Sequence, residues 1–209
     1  MVSQQKMAKY KPAVLADMLK ESIRQGTTPS LTVTSNSMSP LLRAGDQVGL
    51  QQLLPSDAQP GQIITFADSA NPGDLITHRM AGTSMANGEV RFATYGDRSL
   101  LFDCPVAPED VVGVVIWRQR NGRILDLKDG QGAWLNKKLA EHSREGLRRA
   151  SGLQPGNQEL DKETVSRSNE QCHRNRKKAS VRLLGRVNYL WASTLTLFTE
   201  YFPKSSGGK

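Results

Sequence analysis

The sequence predicts a mainly β protein: an antiparallel β domain over residues 30–128, a short N-terminal helix before it and a basic, partly helical tail after it. Within the domain, short segments rich in β-branched residues are separated by Gly, Pro, Asn and Asp, as is typical of antiparallel strands and their turns. On both sides of the domain, apolar residues recur at helical spacing instead. The charge also changes shortly after the end of the domain, because the whole positive excess lies in residues 137–209.

The first element is an amphipathic helix within residues 1–29. Its apolar side chains have helical spacing; they are Val14, Leu15, Met18, Leu19 and Ile23. Gly26 follows as a helix end. Residues 1–26 contain no apolar run long enough for a signal peptide or a spanning helix. We therefore expect a cytoplasmic or peripherally membrane-associated protein.

Seven segments are expected to form the strands of the β domain. In chain order they read SLTVTS, DQVGLQQL, GQIITFA, GDLITHRMAG, EVRFATYG, VVGVVIWRQ and NGRILDL. The last segment begins with Asn121-Gly122, which is a strong hairpin signal between apolar strands. The pattern therefore favours a domain built from hairpins.

The tail, residues 129–209, is expected to contain three parts. Residues 134–150 predict a basic surface helix, residues 151–180 a polar linker, and residues 181–202 an amphipathic helix. The uncharged stretch 187–199 is shorter than the roughly 20 residues that a membrane-spanning helix needs. A helix lying in the membrane interface, or packed on the β domain, fits this stretch better.

The distribution of charge predicts the class of partner. Residues 1–136 hold 13 basic and 13 acidic residues, whereas residues 137–209 hold 15 basic and 7 acidic ones. A basic tail suits an anionic membrane surface, a nucleic acid or an acidic protein. Nucleic acid is the less favoured partner, because the most basic run, residues 174–178, has no aromatic side chains between its charges.

The cysteines and histidines do not indicate a cofactor. Cys104 and Cys172 lie far apart, and we interpret them as two free thiols in a reducing compartment. The three histidines and two cysteines form no ligand spacing, so no metal or organic cofactor is expected.

Residues 35–46, SNSMSPLLRAGD, raise the possibility of a nucleophile. A serine attacks a carbonyl only when a neighbouring base takes its proton. His142 and His173 lie in the polar tail, whereas His78 ends a predicted strand of the β domain. From the residues alone, a structural histidine and a serine that only bonds to nearby backbone remain open alternatives.

Three segments together resemble the type I signal peptidases of the Ser-His type, found in the endoplasmic reticulum and in archaea. SNSMSPLLRAGD resembles their Ser-x-Ser-Met-x-Pro…Gly-Asp box, and GQIITFADSANPGDLITHRMAG resembles the strand pair that carries the general base. FATYGDRSLLFDCPVAPEDVVGVVIW resembles their Gly-Asp…Asp…Pro-Val segment. The resemblance implies a β domain like that of signal peptidases and of the self-cleaving repressors, which share the catalytic fold.

The resemblance also implies roles for individual residues. Ser37 corresponds to the nucleophile and His78 to the general base, and we expect the Ser37 hydroxyl within about 4 Å of a His78 ring nitrogen. Either Asp103 or Asp97 would orient the imidazole, with Asp103 favoured; the alternative for Asp97 is a structural role. The backbone N–H of Ser37 and the hydroxyl of Ser35 correspond to the oxyanion donors.

The sequence departs from the pattern of the signal peptidases in three places. No spanning helix precedes the serine box, Arg98 stands where the family usually has Asn, and the basic tail is not part of the pattern. The favoured function is nevertheless a serine endopeptidase that processes signal peptides or other precursor proteins, cleaving an extended chain after a small residue. The alternatives are a self-cleaving regulatory protease, for which residues 1–29 are too short to supply a helix-turn-helix unit, and an inactive relative that binds peptides or nucleic acid.

Overall fold

The computed structural model describes residues 12–69, 73–86, 88–99 and 102–150 and is mainly antiparallel β sheet, so the predicted fold class is confirmed. Its helices and strands, in chain order, are α1 (Pro12–Arg24), β1 (Ser30–Thr32), β2 (Gln47–Gln51), β3 (Ile63–Ala67), β4 (Leu75–Ala86), β5 (Glu89–Tyr95), β6 (Val111–Arg120), β7 (Arg123–Asp126) and α2 (Gly130–Ala150).

The strands form one sheet in which every pairing is antiparallel. The order is β1-β2-β6-β3-β4-β5, with β7 also paired to β6. The hairpins β3–β4, β4–β5 and β6–β7 connect neighbours in sequence. Strand β6, which comes later in the chain than β2 to β5, lies between β2 and β3. Asn121 and Gly122, at the β6–β7 turn, both have positive φ, as the Asn-Gly signal predicts.

Both helices pack on the same hydrophobic core. The inner face of α1 contributes Ala16, Leu19 and Ile23, and α2 contributes the fully buried Leu135 and Leu139. The last element is therefore part of the packed body rather than a surface helix of the tail. It also begins at Gly130, four residues before the predicted start.

A glycine permits the close contact between α2 and the sheet. A Cβ added at Gly132 would lie 1.7 Å from the carbonyl oxygen of Asp126, the last residue of β7. The first turn of α2 thus lies directly against the end of β7, which leaves no room for a side chain.

The remaining expectations about the two ends of the chain concern residues outside the described ranges. These are the linker predicted at 151–180, the helix predicted at 181–202, and the residues before Pro12. Within residues 12–150, apart from the short gaps, neither helix has the length and apolar character needed to cross a membrane.

The prediction of two free thiols is wrong for Cys104, which is disulfide-bonded. The chain's other cysteine, Cys172, lies outside the described residues. The separation of two cysteines in the sequence does not predict whether they form a disulfide. The bond depends on whether their Cα atoms come within about 7 Å in the fold with the side chains facing each other. Disulfides are typical of oxidising compartments, so this bond does not support the predicted reducing environment.

Candidate active site

Ser37 belongs to a loop, residues 33–46, that we call the serine loop. Asp46 closes it: its buried carboxylate accepts hydrogen bonds from the Arg43 backbone N–H at 2.7 Å and from Arg120 Nε and Nη2, each at 2.7 Å. Arg120 Nη2 also donates to the carbonyl oxygen of Leu41 at 3.0 Å. The loop is thereby tied to β6 by a largely buried ion pair between Asp46 and Arg120.

Buried apolar side chains also fix the serine loop to the main core. Met38, Leu41 and Leu42 are fully buried in the main core. The Asn36 side-chain oxygen accepts a hydrogen bond from the Ala44 backbone N–H at 3.1 Å, joining the two sides of the loop. Ser37 is therefore presented on a loop fixed both by packing and by hydrogen bonds.

His78 lies on β4 and points toward the serine loop. Its Nε2 is 3.0 Å from Ser37 Oγ, although 41 positions separate the two residues. Successive side chains of a strand point to opposite faces, so the neighbouring Arg79 points the other way. The strand thus directs a base toward Ser37 and a cation toward the opposite face.

Asp103 completes a linear arrangement with Ser37 and His78. Its Oδ2 lies 2.6 Å from His78 Nδ1 and also accepts a hydrogen bond of 2.8 Å from Thr94 Oγ1. The Asp103 backbone N–H donates to the Thr94 carbonyl at 2.8 Å, which fixes the segment against β5. Because a carboxylate only accepts hydrogen bonds, Nδ1 carries the proton and Nε2 is left to accept from Ser37.

Asp97 occupies a different place in the site. Its two carboxylate oxygens accept from Arg79 Nε and Nη2, each at 2.7 Å, in a bidentate pair. The Arg79 side chain is fully buried, and its Nη1 donates to the Gly61 carbonyl at 2.8 Å and to the Asn136 side-chain oxygen. Burial alone would lower the pKa of Arg79, but the adjacent Asp97 charge raises that pKa above its usual value.

The Arg79–Asp97 pair supports the site through its chain neighbours. A Cβ added at Gly96 would lie 3.1 Å from both His78 Nε2 and the Ser37 carbonyl oxygen. On the other side of Asp97, the Arg98 backbone N–H donates to the same Ser37 carbonyl at 2.9 Å. The segment 96–98 therefore lies against both Ser37 and His78, and Arg98, where the family usually has Asn, contributes to this contact through its backbone.

The predicted oxyanion residues lie side by side. The exposed Ser35 places its Oγ 3.2 Å from Ser37 Oγ, within hydrogen-bond distance. A hydroxyl here can donate to the negative oxygen that develops on the carbonyl carbon attacked by Ser37 Oγ.

A cleft of about 640 Å³ leads to the Ser37 hydroxyl. One wall is the extended segment 31–35 and the other is residues 73–78, at the start of β4. Its apolar lining includes Leu15, Leu31, Val33, Leu75 and Ile76. The shape suits an extended chain lying between two strand-like walls.

Several residues that build this site carry no signal in the sequence. Thr94 is an ordinary strand residue by sequence, Arg120 belongs to a distant strand, and Asn136 lies on a helix assigned to the tail. In the described ranges, no group of three or more His, Cys, Asp or Glu side chains is arranged to hold a metal ion.

Comparison of the chain with models of known protein families gives no match, and comparison with curated protein sequences gives none either.

Proposed function

We propose that this protein is a serine endopeptidase of the signal-peptidase type. The observation that carries the proposal is the hydrogen-bonded series Ser37 Oγ, His78 Nε2, His78 Nδ1 and Asp103 Oδ2, with distances of 3.0 and 2.6 Å, at one end of the cleft. A nucleophile bonded to a base that is in turn oriented by an acid is the arrangement required for acyl transfer by serine.

The mechanism follows from the proton positions. His78 Nε2 accepts the Ser37 proton as Oγ attacks the scissile carbonyl, and Asp103 stabilises the imidazolium that forms. His78 then gives this proton to the leaving amine as the C–N bond breaks. A water molecule, deprotonated by His78, attacks the acyl-enzyme, and the released Ser37 oxygen regains a proton from the imidazolium.

Two donors are available for the oxyanion of the tetrahedral intermediate. They are the Ser37 backbone N–H and the Ser35 hydroxyl, which lies next to the Ser37 oxygen. Removal of one such donor typically lowers kcat by about 10²–10³.

The cleft supports an extended peptide as substrate. A chain lying between residues 31–35 and 75–78 would hydrogen-bond as an added strand while its side chains enter the apolar lining. The resemblance to signal peptidases adds the preference for a small residue before the cleaved bond. Delivery to an anionic membrane surface by the basic tail is part of the same proposal, because each nearby Lys or Arg contributes about 1 kcal/mol to such binding.

The proposal is tested by incubating the full chain with a peptide library and identifying products by mass spectrometry. We expect internal cleavage, abolished by Ser37→Ala and by His78→Ala. The matched control Ser56→Ala removes a serine hydroxyl from an exposed turn and should cleave normally. Shortening of the chain itself, lost in Ser37→Ala, would indicate the self-cleaving alternative. Cleavage that persists in Ser37→Ala, or no cleavage by the wild type, would overturn the proposal.

A further inference from the structure

A second cavity, of about 300 Å³, lies between the β4–β5 hairpin and α2. Its lining and that of the Ser37 cleft have no described residue in common. The sheet side includes Gln62, Met80 and Tyr95, and α2 supplies Asn136, Lys137 and Arg144 among others. Of these residues, only Asn136 is connected to the Ser37 site, through its hydrogen bond with Arg79; the others have no part in the proposed proteolysis.

The sheet side of the cavity carries a hydroxyl donor that has no acceptor among the described residues. Tyr95 is only 2% exposed, and its hydroxyl forms no hydrogen bond with a described residue. Burial raises the pKa of Tyr95 well above its usual value, so this hydroxyl stays protonated and can donate. The hydroxyl oxygen itself retains some accessible surface, so a ligand or water in the cavity can accept its hydrogen bond.

The helix side adds positive charge. Arg144 and Lys137 form no ion pair with a described residue, and Arg144 Nε is buried without a hydrogen-bond partner in the described ranges. The acid on this wall, Glu141, accepts a hydrogen bond of 2.9 Å from Lys138 instead. The cavity is therefore rich in donors and poor in acceptors.

We propose that this cavity binds a small oxyanion, a carboxylate or phosphate group that accepts hydrogen bonds from Tyr95, Arg144 and Lys137. A ligand that complements these groups has to supply acceptor oxygens and negative charge together. Charge-assisted hydrogen bonds from guanidinium and ammonium groups are the stronger kind, and a guanidinium matches the geometry of both carboxylate and phosphate. Water can satisfy the donors, but it would leave the Arg144 charge without a counter-charge among the described residues, whereas the Lys137 charge already acts on the nearby Glu141 carboxylate.

The test titrates inorganic phosphate and acetate separately into the full chain, with chloride keeping the ionic strength constant. We expect saturable binding of at least one anion by calorimetry and a matching rise in Tm. Tyr95→Phe and Arg144→Gln should each weaken Kd about tenfold, the size of a lost charge-assisted hydrogen bond. Arg24→Gln, which removes an exposed charge from α1, is the matched control and should bind normally.

The anion that binds identifies the class of ligand. Binding of acetate alone identifies a carboxylate site, and binding of phosphate alone identifies a phosphate site. Failure of both anions to bind more tightly than chloride, or equal binding by wild type, Tyr95→Phe and Arg144→Gln, would overturn the proposal. Tyr95→Phe removes one oxygen that has no hydrogen-bond partner among the described residues and should fold even if Arg144→Gln does not. Ser37→Ala should bind as the wild type does, so the result is independent of the proposed peptidase activity.

Discussion

At the scale of single residues, the hydroxyl of Thr94 orients the acid of the site. It donates to the same Asp103 oxygen that His78 contacts, and Thr94 is fully buried. We expect Thr94→Val to lower kcat about tenfold, the equivalent of one hydrogen bond of about 1.4 kcal/mol, with KM little changed. Thr94→Ser should restore the rate. A Thr94→Val enzyme with normal kcat and only a lower Tm would show that the hydroxyl is merely structural.

The two acids of the site should respond differently to the same substitution. Asp103→Asn keeps the shape of the side chain but removes the acceptor that sets the His78 tautomer, so kcat should fall by about 10⁴ with little change in Tm. Asp97→Asn instead leaves the buried Arg79 charge poorly compensated, and breaking such a pair costs about 3–5 kcal/mol of unfolding free energy. Steady-state kinetics and thermal unfolding of both variants measure this contrast. A reversed pattern would contradict the assigned roles.

At the scale of elements, α2 is a structural part of the folded body that holds the candidate site. Leu135 and Leu139 have no more than 1% of their surface exposed, and Asn136 accepts from the guanidinium of Arg79. Leu135→Ala and Leu139→Ala should each lower the unfolding free energy by about 2–5 kcal/mol. Lys138→Ala, on the exposed face of the same helix, should change it by less than about 0.5 kcal/mol. Equal Tm values for all three variants would mean that α2 is the surface helix that its charge suggests.

The segment after β5 is the second element that the site depends on. The hypothetical Cβ of Gly96 would lie 3.1 Å from His78 Nε2, which is closer than nine in ten real Cβ contacts. Gly96→Ala should therefore displace the His78 ring by a few tenths of an ångström and lower kcat/KM, by less than the factor of about 10² that a 1 Å misplacement costs. Peptide cleavage measured beside a thermal melt separates this effect from unfolding. Unchanged kcat/KM would show that the loop yields without moving His78.

At the scale of the whole molecule, the sequence predicted what depends on local patterns. The β-branched segments and their turn residues specify strands and hairpins locally, and the seven-stranded antiparallel sheet confirms the predicted fold class. The resemblance named Ser37, His78 and Asp103, which lie in hydrogen-bonded contact, although their catalytic roles stay a prediction. For Asp97 it left a catalytic and a structural reading open, and the pairing with Arg79 favours the structural one.

The remaining features depend on contacts that no local pattern encodes. The many charged residues of α2 predict a surface helix. Its place in the main core depends instead on how α2 packs at the end of β7. The Asp46–Arg120 pair joins residues that are 74 positions apart in the chain. The disulfide at Cys104 likewise has no local sequence pattern that announces it. Such pairs become evident only when the strands are arranged in space.

The most direct test of whether Ser37 and His78 act together in peptide cleavage is a double-mutant comparison. It measures kcat for the wild type, Ser37→Ala, His78→Ala and the double variant. If Ser37 and His78 act as one unit, each single substitution should lower kcat by at least about 10³, and the double variant should be no more than about tenfold worse than either. Losses that multiply in the double variant would mean that the two residues act independently and would contradict the proposed mechanism.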